Sequence, residues 1–286
     1  MTGLLRLIAL LPLWLIHAVG GAMGWVVFHL SGRYAERMQE NLRLSRVFSD
    51  ERNYKKLLKQ VILETGKGIL ELLVVWLRPH DKVLDLVREC QGWSLVEAAQ
   101  EKGKGIIVLT PHLGCYEIAG QYFASKLPIT VLYRPPRQKW LESLVVSGRE
   151  RGMLKAVPAD LKGVKALLGA LRRGEAIGIL PDQVPSRGDG AWVNFFGRPA
   201  YTMTLVGQLQ KATGATVLLS FSERLSKGKG YILRFESLPE AFPADKVEAA
   251  VALNAAVENM IKACPSQYLW SYNRYKVPKG VEAPPV

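Results

Sequence analysis

Three strand-like runs in this chain stop the same way, at a proline set beside polar residues. They are GIIVLT-PH (105–112), ITVLY-RPPR (129–137) and AIGIL-PDQ (176–183). GIIVLT, a continuous β-branched run, reads as a buried strand, the condition of strands in a parallel sheet, and ITVLY and AIGIL read as strands too. The segments between them carry helical patterning: the stretch after PHLG, then 138–151, then 161–174 with a glycine at its end. Further helices are expected over 51–77, 94–103, 202–213 and 244–264, and further strands over 215–221 and 231–238. This alternation predicts an α/β fold with a mixed, mostly parallel central sheet flanked by helices. In open sheets of this kind ligands bind outside the carboxyl ends of the strands. If the three strands are parallel, His112, Arg134, Arg137, Asp182 and Gln183 gather on one edge. For a single strand, the proline is ordinary punctuation. Three such endings carrying His, Arg and Asp together point to a shared site.

The N-terminus sets a second constraint. Residues 7–30, LIALLPLWLIHAVGGAMGWVVFHL, contain no Asp, Glu, Lys or Arg. At helical rise this run spans about 36 Å, enough for a tilted crossing of a ~30 Å hydrocarbon core. A cleaved signal peptide, with AVG as its marginal cleavage site, and a buried core helix are the competing readings. The apolar run continues past AVG, which favours a transmembrane or deeply embedded anchor, and we divide the chain into an anchor (1–32) and one globular domain (33–286). Only Arg6 precedes the run, whereas Arg33, Arg37, Arg43, Arg46, Arg52, Lys55, Lys56 and Lys59 follow it, so the positive-inside rule leaves the body in the cytoplasm. Pro12, Gly20, Gly21 and Gly24 argue against one straight helix and leave an interfacial one in play.

Charge narrows the partners. Lys and Arg outnumber Asp and Glu by 38 to 25, a net +13 that favours an anionic partner, nucleic acid or membrane. The cations are spread along the chain and no nucleic-acid-binding motif is present, while the mean hydropathy of +0.07 is high for so charged a protein. Lipid is the expected partner. Three cysteines without metal spacing predict no disulfide framework and a reducing compartment. Four histidines without HExxH predict no protein-built zinc site.

The densest chemistry lies in TPHLGCYEIAG (110–120). His112 and Glu117 are five residues apart, about 140° off a shared helical face, so they cannot pair well on one helix. They can pair if His112 sits in a turn made by Pro111 and Gly114 and Glu117 in the first turn of the following helix. Glu117 would then orient the imidazole as the acid of a triad does, and His112 would act as a general base. No GxSxG elbow supplies a serine. Cys115 is the nearest nucleophile, but it reads more readily as a small buried residue of the new helix. A His–acid pair without a protein nucleophile suits direct transfer, in which a substrate hydroxyl attacks an activated acyl group. A thioester fits as donor, because a thiolate whose acid has a pKa of ~8.5 leaves without a strong general acid.

His-x4-acid after a buried strand, in a basic chain with an apolar N-terminus, resembles the glycerolipid-type acyltransferases broadly. The blocks LPDQVPSRGDGAWVNFFGRPAYT (180–202) and QYLWSYNRYK (267–276) resemble, more narrowly, the late acyltransferases of lipid A biosynthesis, the lauroyl- and myristoyltransferase family. The resemblance extends from the anchor to Lys276. It implies transfer of a fatty acyl chain from acyl carrier protein to a hydroxyl of a hydroxyacyl chain on a lipid A precursor of Kdo-lipid IVA type, at the bacterial inner membrane. No cofactor beyond the carrier-protein thioester is implied. It places His112 as base and Glu117 as its partner. It also implies a functional arginine that falls on Arg149, with Arg151 as the neighbouring alternative. A guanidinium there would hold an oxyanion or a phosphate.

Arg134, Arg137, Lys139, Asp182, Gln183 and Arg274 are further candidates for holding the phosphorylated acceptor; Asp182 and Gln183 read as organising their loop rather than binding a metal, because no second carboxylate sits nearby in sequence. Asn273 stands where many members of the family have histidine, so it is a poor choice for acid–base work. Phe195 and Phe196 would line an acyl channel or fill the core. Rival readings are another acyl-thioester-dependent glycerolipid acyltransferase, an acyl-enzyme or thioesterase route through Cys115, and a non-catalytic lipid-binding scaffold. The last has no need of a His–carboxylate pair.

Overall fold

The computed structural model describes residues 2–134, 136, 138–238 and 241–284. In chain order the elements are α1 (Thr2–Leu10), α2 (Leu13–Leu30), α3 (Gly32–Ser45), α4 (Glu51–Leu77), α5 (His80–Leu84), β1 (Val87–Gln91), α6 (Trp93–Glu101), β2 (Ile106–Leu109), α7 (Tyr116–Ala124), β3 (Ile129–Tyr133), α8 (Lys139–Arg149), β4 (Leu154–Pro158), α9 (Leu161–Arg172), β5 (Ala176–Ile179), β6 (Gly190–Phe195), β7 (Arg198–Met203), α10 (Leu205–Thr213), β8 (Thr216–Arg224), β9 (Tyr231–Ser237) and α11 (Lys246–Ala263). Seven strands form one sheet in the order β1-β9-β8-β2-β5-β3-β4. The five from β8 to β4 are mutually parallel, and β9 pairs antiparallel to β8 with β1 parallel beside it. The sheet is therefore mixed and mostly parallel, as expected. β2 and β5 lie at its centre, which is why all four residues of each are buried.

Helices cover both faces. Leu109, Ile177, Ile179 and Val217 pack toward α9, α10 and α11 on one side, and Ile106, Val108, Phe123 and Phe235 pack on the other beneath α6 and α7. Helix starts are chemically marked. Asp50, Asp160 and Asp245 each accept backbone N–H groups from the first turn of the helix they precede, α4, α9 and α11.

Several elements lie outside the patterning the sequence shows. The helix expected over 202–213 begins only at Leu205, because 198–203 is an antiparallel strand paired with 190–195. That hairpin turns on Phe196 and Gly197, both at positive φ. Glycine suits the second position; a phenylalanine held at φ 49° is a strained residue that its neighbours must fix. Phe196 stacks on Phe195 and Trp270, and its N–H donates to Glu258. β1, β4 and α3 are also additional to the expected elements.

α1 and α2 do not stand apart from the body. α2 crosses α4 antiparallel at a seam of glycines. A Cβ on Gly20 would come within 2.8 Å of the Gly66 carbonyl oxygen, and one on Gly66 would press on the backbone of Gly20 and Gly24. α4 in turn crosses the carboxyl edge of the sheet, where Glu64 and Glu71 hold Arg224 at the end of β8.

Candidate active site

The three expected strand endings meet. β2, β5 and β3 are adjacent and parallel, so the loops after them share the carboxyl edge. After β2 the chain enters a turn at Pro111–Gly114 and then α7. Gly114 has φ 63° and lies against the Ser222 backbone, so a side chain has no room there. The turn holds His112 out of the helix and puts Glu117 in the first helical turn, as the spacing predicts.

The predicted pairing of these two residues does not form. His112 is held by Asp182 from the loop after β5. Nδ1–H donates to Asp182 Oδ1 at 2.9 Å, and the His112 backbone N–H donates to Oδ2 at 3.0 Å. Both carboxylate oxygens thus clasp one residue and fix the ring. The Asp182 side chain is 3% exposed. Burial works against its ionisation, but His112, through its charge, its ring N–H and its backbone N–H, overrides burial and holds the carboxyl below its usual range. Tyr268 also faces this carboxylate, and burial followed by the Asp182 charge pushes its phenol well up.

With Nδ1 protonated, the Nε2 lone pair is the basic position. It accepts from the Gln183 side-chain amide at 3.0 Å and lies on the wall of a cavity of about 780 Å³. Tyr116 packs against the imidazole with ring centroids 4.9 Å apart.

Glu117 instead binds Arg149, at the end of α8. Arg149 Nε donates to both carboxylate oxygens at 2.9 and 3.1 Å, and Nη2 donates to Oε1. The physical reason is geometric. Asp182 already takes both polar hydrogens of His112 that point inward, while Glu117, in the first turn of α7, faces the end of α8. The Arg149 backbone carbonyl also accepts from the Gln121 amide at 2.9 Å, which fixes α8 to α7. Burial lowers the proton affinity of Arg149, but Glu117 outweighs it and raises the guanidinium above its ordinary value. Nε and Nη2 are committed to Glu117, which leaves Nη1 outside the pair. Arg149 lines the same cavity as His112.

The other candidates divide. Arg134 and Gln183 line the cavity and Arg134 is exposed. Arg137 lies outside the described residues. Arg151 does not reach the cavity; its Nη1 donates to the Arg78 carbonyl at 2.7 Å, while Arg78 donates to the carbonyls of Ala9 and Leu11. It braces the N-terminal helices. Arg274 is also turned away from substrate space. It is 2% exposed, with Nη1 donating to the Tyr201 carbonyl at 2.8 Å and Nη2 to Thr202 Oγ1 at 2.6 Å. Its charge ties the β6–β7 hairpin to the C-terminal segment. Asn273 is exposed. Phe195 is buried in the core.

The segment 267–276 supports the site from behind. Leu269 N–H donates to the His112 carbonyl at 3.1 Å and Gly114 N–H to the Gln267 carbonyl at 3.1 Å. Val184 N–H donates to the Tyr272 hydroxyl at 3.0 Å. The strap thereby clamps the His112 turn and the Asp182 loop in register. The sequence marks it only as a block that carries the family resemblance; its role depends on contacts across more than 80 residues.

A second, apolar recess of about 60 Å³ opens beneath α7 and shares Tyr116, Leu132, Arg149, Gly178 and Leu180 with the main cavity. Its walls include Val108, Phe123, Val131 and Phe235. Two hydroxyls on it, Thr110 Oγ1 and Ser220 Oγ, are buried without a partner among the described residues.

Cys115 is not on either wall. It is 2% exposed and packs with Leu13, Ile16, Val74 and Val75. Burial, then the charge of Glu71, pushes its thiol well above the usual range, the opposite of a nucleophile's need. Cys115→Ala is expected to keep acyl-transfer rates within about twofold of the parent, as befits a packed small residue. An initial-rate assay checks this, and a severe loss in a normally folded variant would restore the acyl-enzyme route. Among the described residues no three His, Cys, Asp or Glu side chains are grouped as a metal site would need.

A histidine whose inward ring N–H is held by a buried carboxylate, facing a large cavity at the carboxyl edge of a mostly parallel sheet, is an arrangement suited to general-base chemistry. Comparison with known proteins agrees. The chain belongs to the bacterial lipid A biosynthesis acyltransferase family, whose model matches residues 1–277. It is 27% identical over 282 residues to a lipid A biosynthesis lauroyltransferase of Escherichia coli K12, covering 98% of this chain and 91% of the relative. It is 25% identical over 275 residues to the palmitoleoyltransferase of the same strain, covering 96% and 89%. To the myristoyltransferase of that strain it is 24% identical over 268 residues, covering 89% and 81%. The protein is therefore an acyltransferase acting in lipid A biosynthesis.

Proposed function

We propose that the protein moves a fatty acyl chain from an acyl carrier protein thioester to the free hydroxyl of a hydroxyacyl chain on a Kdo-lipid IVA-type precursor, at the cytoplasmic face of the bacterial inner membrane. The observation that carries this reading is the clasp of Asp182 on His112, which keeps the proton on Nδ1 and turns the Nε2 lone pair toward the cavity.

In the reaction, Nε2 takes the proton of the acceptor hydroxyl as its oxygen attacks the thioester carbonyl. Asp182 stabilises the imidazolium that forms. The tetrahedral intermediate collapses, the C–S bond breaks, and the proton on Nε2 passes to the departing thiolate, which restores the neutral base. Arg149 lines the same cavity as His112, and its Nη1, left outside the Glu117 pair, is the donor available to the developing oxyanion. Glu117 positions that guanidinium. Gln183 holds the Nε2 lone pair until the acceptor hydroxyl replaces it, and Arg134 supplies positive charge for an acceptor phosphate. A main cavity of about 780 Å³ with an apolar branch suits two lipid substrates whose reacting ends meet beside one imidazole. No cofactor enters the scheme.

The test is mass spectrometry of lipid A from a strain that lacks its own late acyltransferases and expresses this chain. A mass gain of one acyl group supports the reading and gives the chain length. An unchanged lipid A profile, with the protein present in the membrane fraction, would overturn it.

A further inference from the structure

We propose that α1 and α2 do not cross the bilayer but lie along the surface of one anionic leaflet, forming an apolar foot on the same edge of the sheet as the cavity. This rests on the reading of the protein as a membrane-associated enzyme and goes beyond it by assigning the mode of attachment.

The outward face is built for lipid. Trp14 is 56% exposed, Trp25 53%, Met23 46% and Leu30 82%, and Leu4 and Leu7 continue the surface along α1. The inward face is built for protein. Leu13, Ile16, His17, Gly20, Gly21 and Gly24 are buried at helical spacing, with the two crossing glycines seated on Gly66 of α4. His17 Nε2 lies 3.4 Å from Glu71, which is itself ion-paired with Arg224.

This docking is incompatible with a crossing. α4 runs antiparallel beside α2 and carries Lys59, Glu64, Lys67 and Glu71 along the shared length. Taking α2 through the hydrocarbon would take those charges with it, or strip α2 from its seam and leave His17 facing lipid. Length does not decide the matter: the 18 residues of α2 are long and apolar enough to cross. Pro12 breaks the helix from α1, so α1 does not extend it.

Charge names the surface. The turn at Ser226–Gly228 packs against the Trp14 backbone and leaves Lys227 and Lys229 exposed beside it; Arg6 and Arg33 flank the other parts of the foot. Indoles bordered by cations are the signature of an anionic interface. α4 ties this foot to Arg224 at the carboxyl end of β8, so the membrane lies against the edge of the sheet that bears the site.

The test places a fluorophore at Leu7→Cys, Val19→Cys or Leu30→Cys in the full chain, with Cys90 and Cys264 changed to serine. The labelled protein is bound to vesicles containing phosphatidylglycerol and nitroxide lipids quenching at shallow or deep positions. All three labels quenched preferentially by the shallow nitroxide supports the in-plane foot. Position 19 quenched by the deep nitroxide while 7 and 30 are quenched by the shallow one overturns it in favour of a crossing. Protein that fails to sediment with the vesicles overturns the membrane reading itself. Lys227→Gln with Lys229→Gln is expected to weaken binding to the anionic vesicles on the order of 30-fold at low salt, while sparing phosphatidylcholine vesicles. Unchanged affinity would remove the anionic leaflet from the proposal.

Discussion

Asp182→Asn is expected to slow acyl transfer by about 10²–10⁴-fold without unfolding the protein, as large a loss as removing a general base itself. The clasp explains why so small a change is severe. Both Asp182 oxygens accept, one from the imidazole Nδ1–H and one from the His112 backbone N–H. An asparagine has one acceptor. If its oxygen keeps the backbone N–H, its amide N–H₂ faces Nδ1 and drives the ring proton onto Nε2, where the lone pair is needed. If the oxygen keeps Nδ1–H, the amide opposes the backbone donor and the turn is pushed open. His112→Ala should lose as much, and the double variant little more, because the two act as one unit.

Glu117→Gln is the informative contrast, since it leaves the ring tautomer alone and loosens Arg149. The rate then falls through lost oxyanion stabilisation, so Glu117→Gln combined with Arg149→Lys should lose little more than the worse single variant, whereas Glu117→Gln combined with Asp182→Asn should lose close to the product of the two single losses. Initial rates of the single and double variants on purified protein separate the two roles. Strongly non-additive losses between Glu117→Gln and Asp182→Asn would return Glu117 to the position the spacing suggests.

The largest stability effect is expected at the far end of the same edge. Arg224→Met should destabilise the fold by about 3–5 kcal/mol, the usual result of leaving a buried charge unpaired. Arg224 donates to Glu71 through Nε and Nη2 and to Glu64 at 2.6 Å through Nη1, and Tyr231 adds a hydroxyl donor to Glu71 at 2.8 Å. Burial alone would raise the Glu71 carboxyl; the charge of Arg224 and its hydrogen bonds outweigh that and hold it at about 2.

The sign of the pH dependence follows. The folded carboxyl is depressed below its unfolded value, so its contribution, about 3 kcal/mol by linkage, is complete above pH ~4.5 and is lost as pH falls toward 2. In Arg224→Met the order inverts. The carboxyl is then raised by burial, the folded state binds protons more readily than the unfolded, and stability relative to the parent improves on acidification. Denaturant melts at neutral pH and near pH 4, about where an unperturbed glutamate titrates, check both statements. A variant as stable as the parent at neutral pH would show that the network contributes little. Because Glu71 also faces His17, the same variant should loosen α2 first, seen as faster hydrogen exchange over residues 13–30.

Much of this organisation is legible in the residues. The α4 pattern runs from 51 to 77 in both the sequence and the fold, because a long amphipathic stretch with an aspartate cap specifies its own limits. The runs at 106–109 and 176–179 are apolar throughout and buried along their whole length, as the centre of a parallel sheet requires, and ITVLY at 129–133, buried at Ile129 and Thr130, pairs parallel beside them, so the three endings share an edge. By contrast, β1 reads VRECQ and β4 LKAVP, both at edges of the sheet and partly solvated, so neither carries the periodicity of a buried strand. The β6–β7 hairpin is similarly hidden, since its turn depends on a phenylalanine at positive φ that aromatic packing enforces.

The sequence by itself determined the fold class, the turn that lifts His112 out of its helix, the cysteine's role as packing, and the meeting of His112, Arg134, Asp182 and Gln183 at the strand ends. These are local properties, set by apolar spacing, proline, glycine and the residues next to them. Tertiary structure alone decided the partnerships: Asp182 for His112, Arg149 for Glu117, a structural duty for Arg151 and Arg274, and the seating of the apolar N-terminus on α4. The reason is distance along the chain. His112 and Asp182 are 70 residues apart and Glu117 and Arg149 are 32 apart. Which carboxylate reaches which cation or imidazole is settled by strand order and helix placement, and a five-residue spacing carries no information about either.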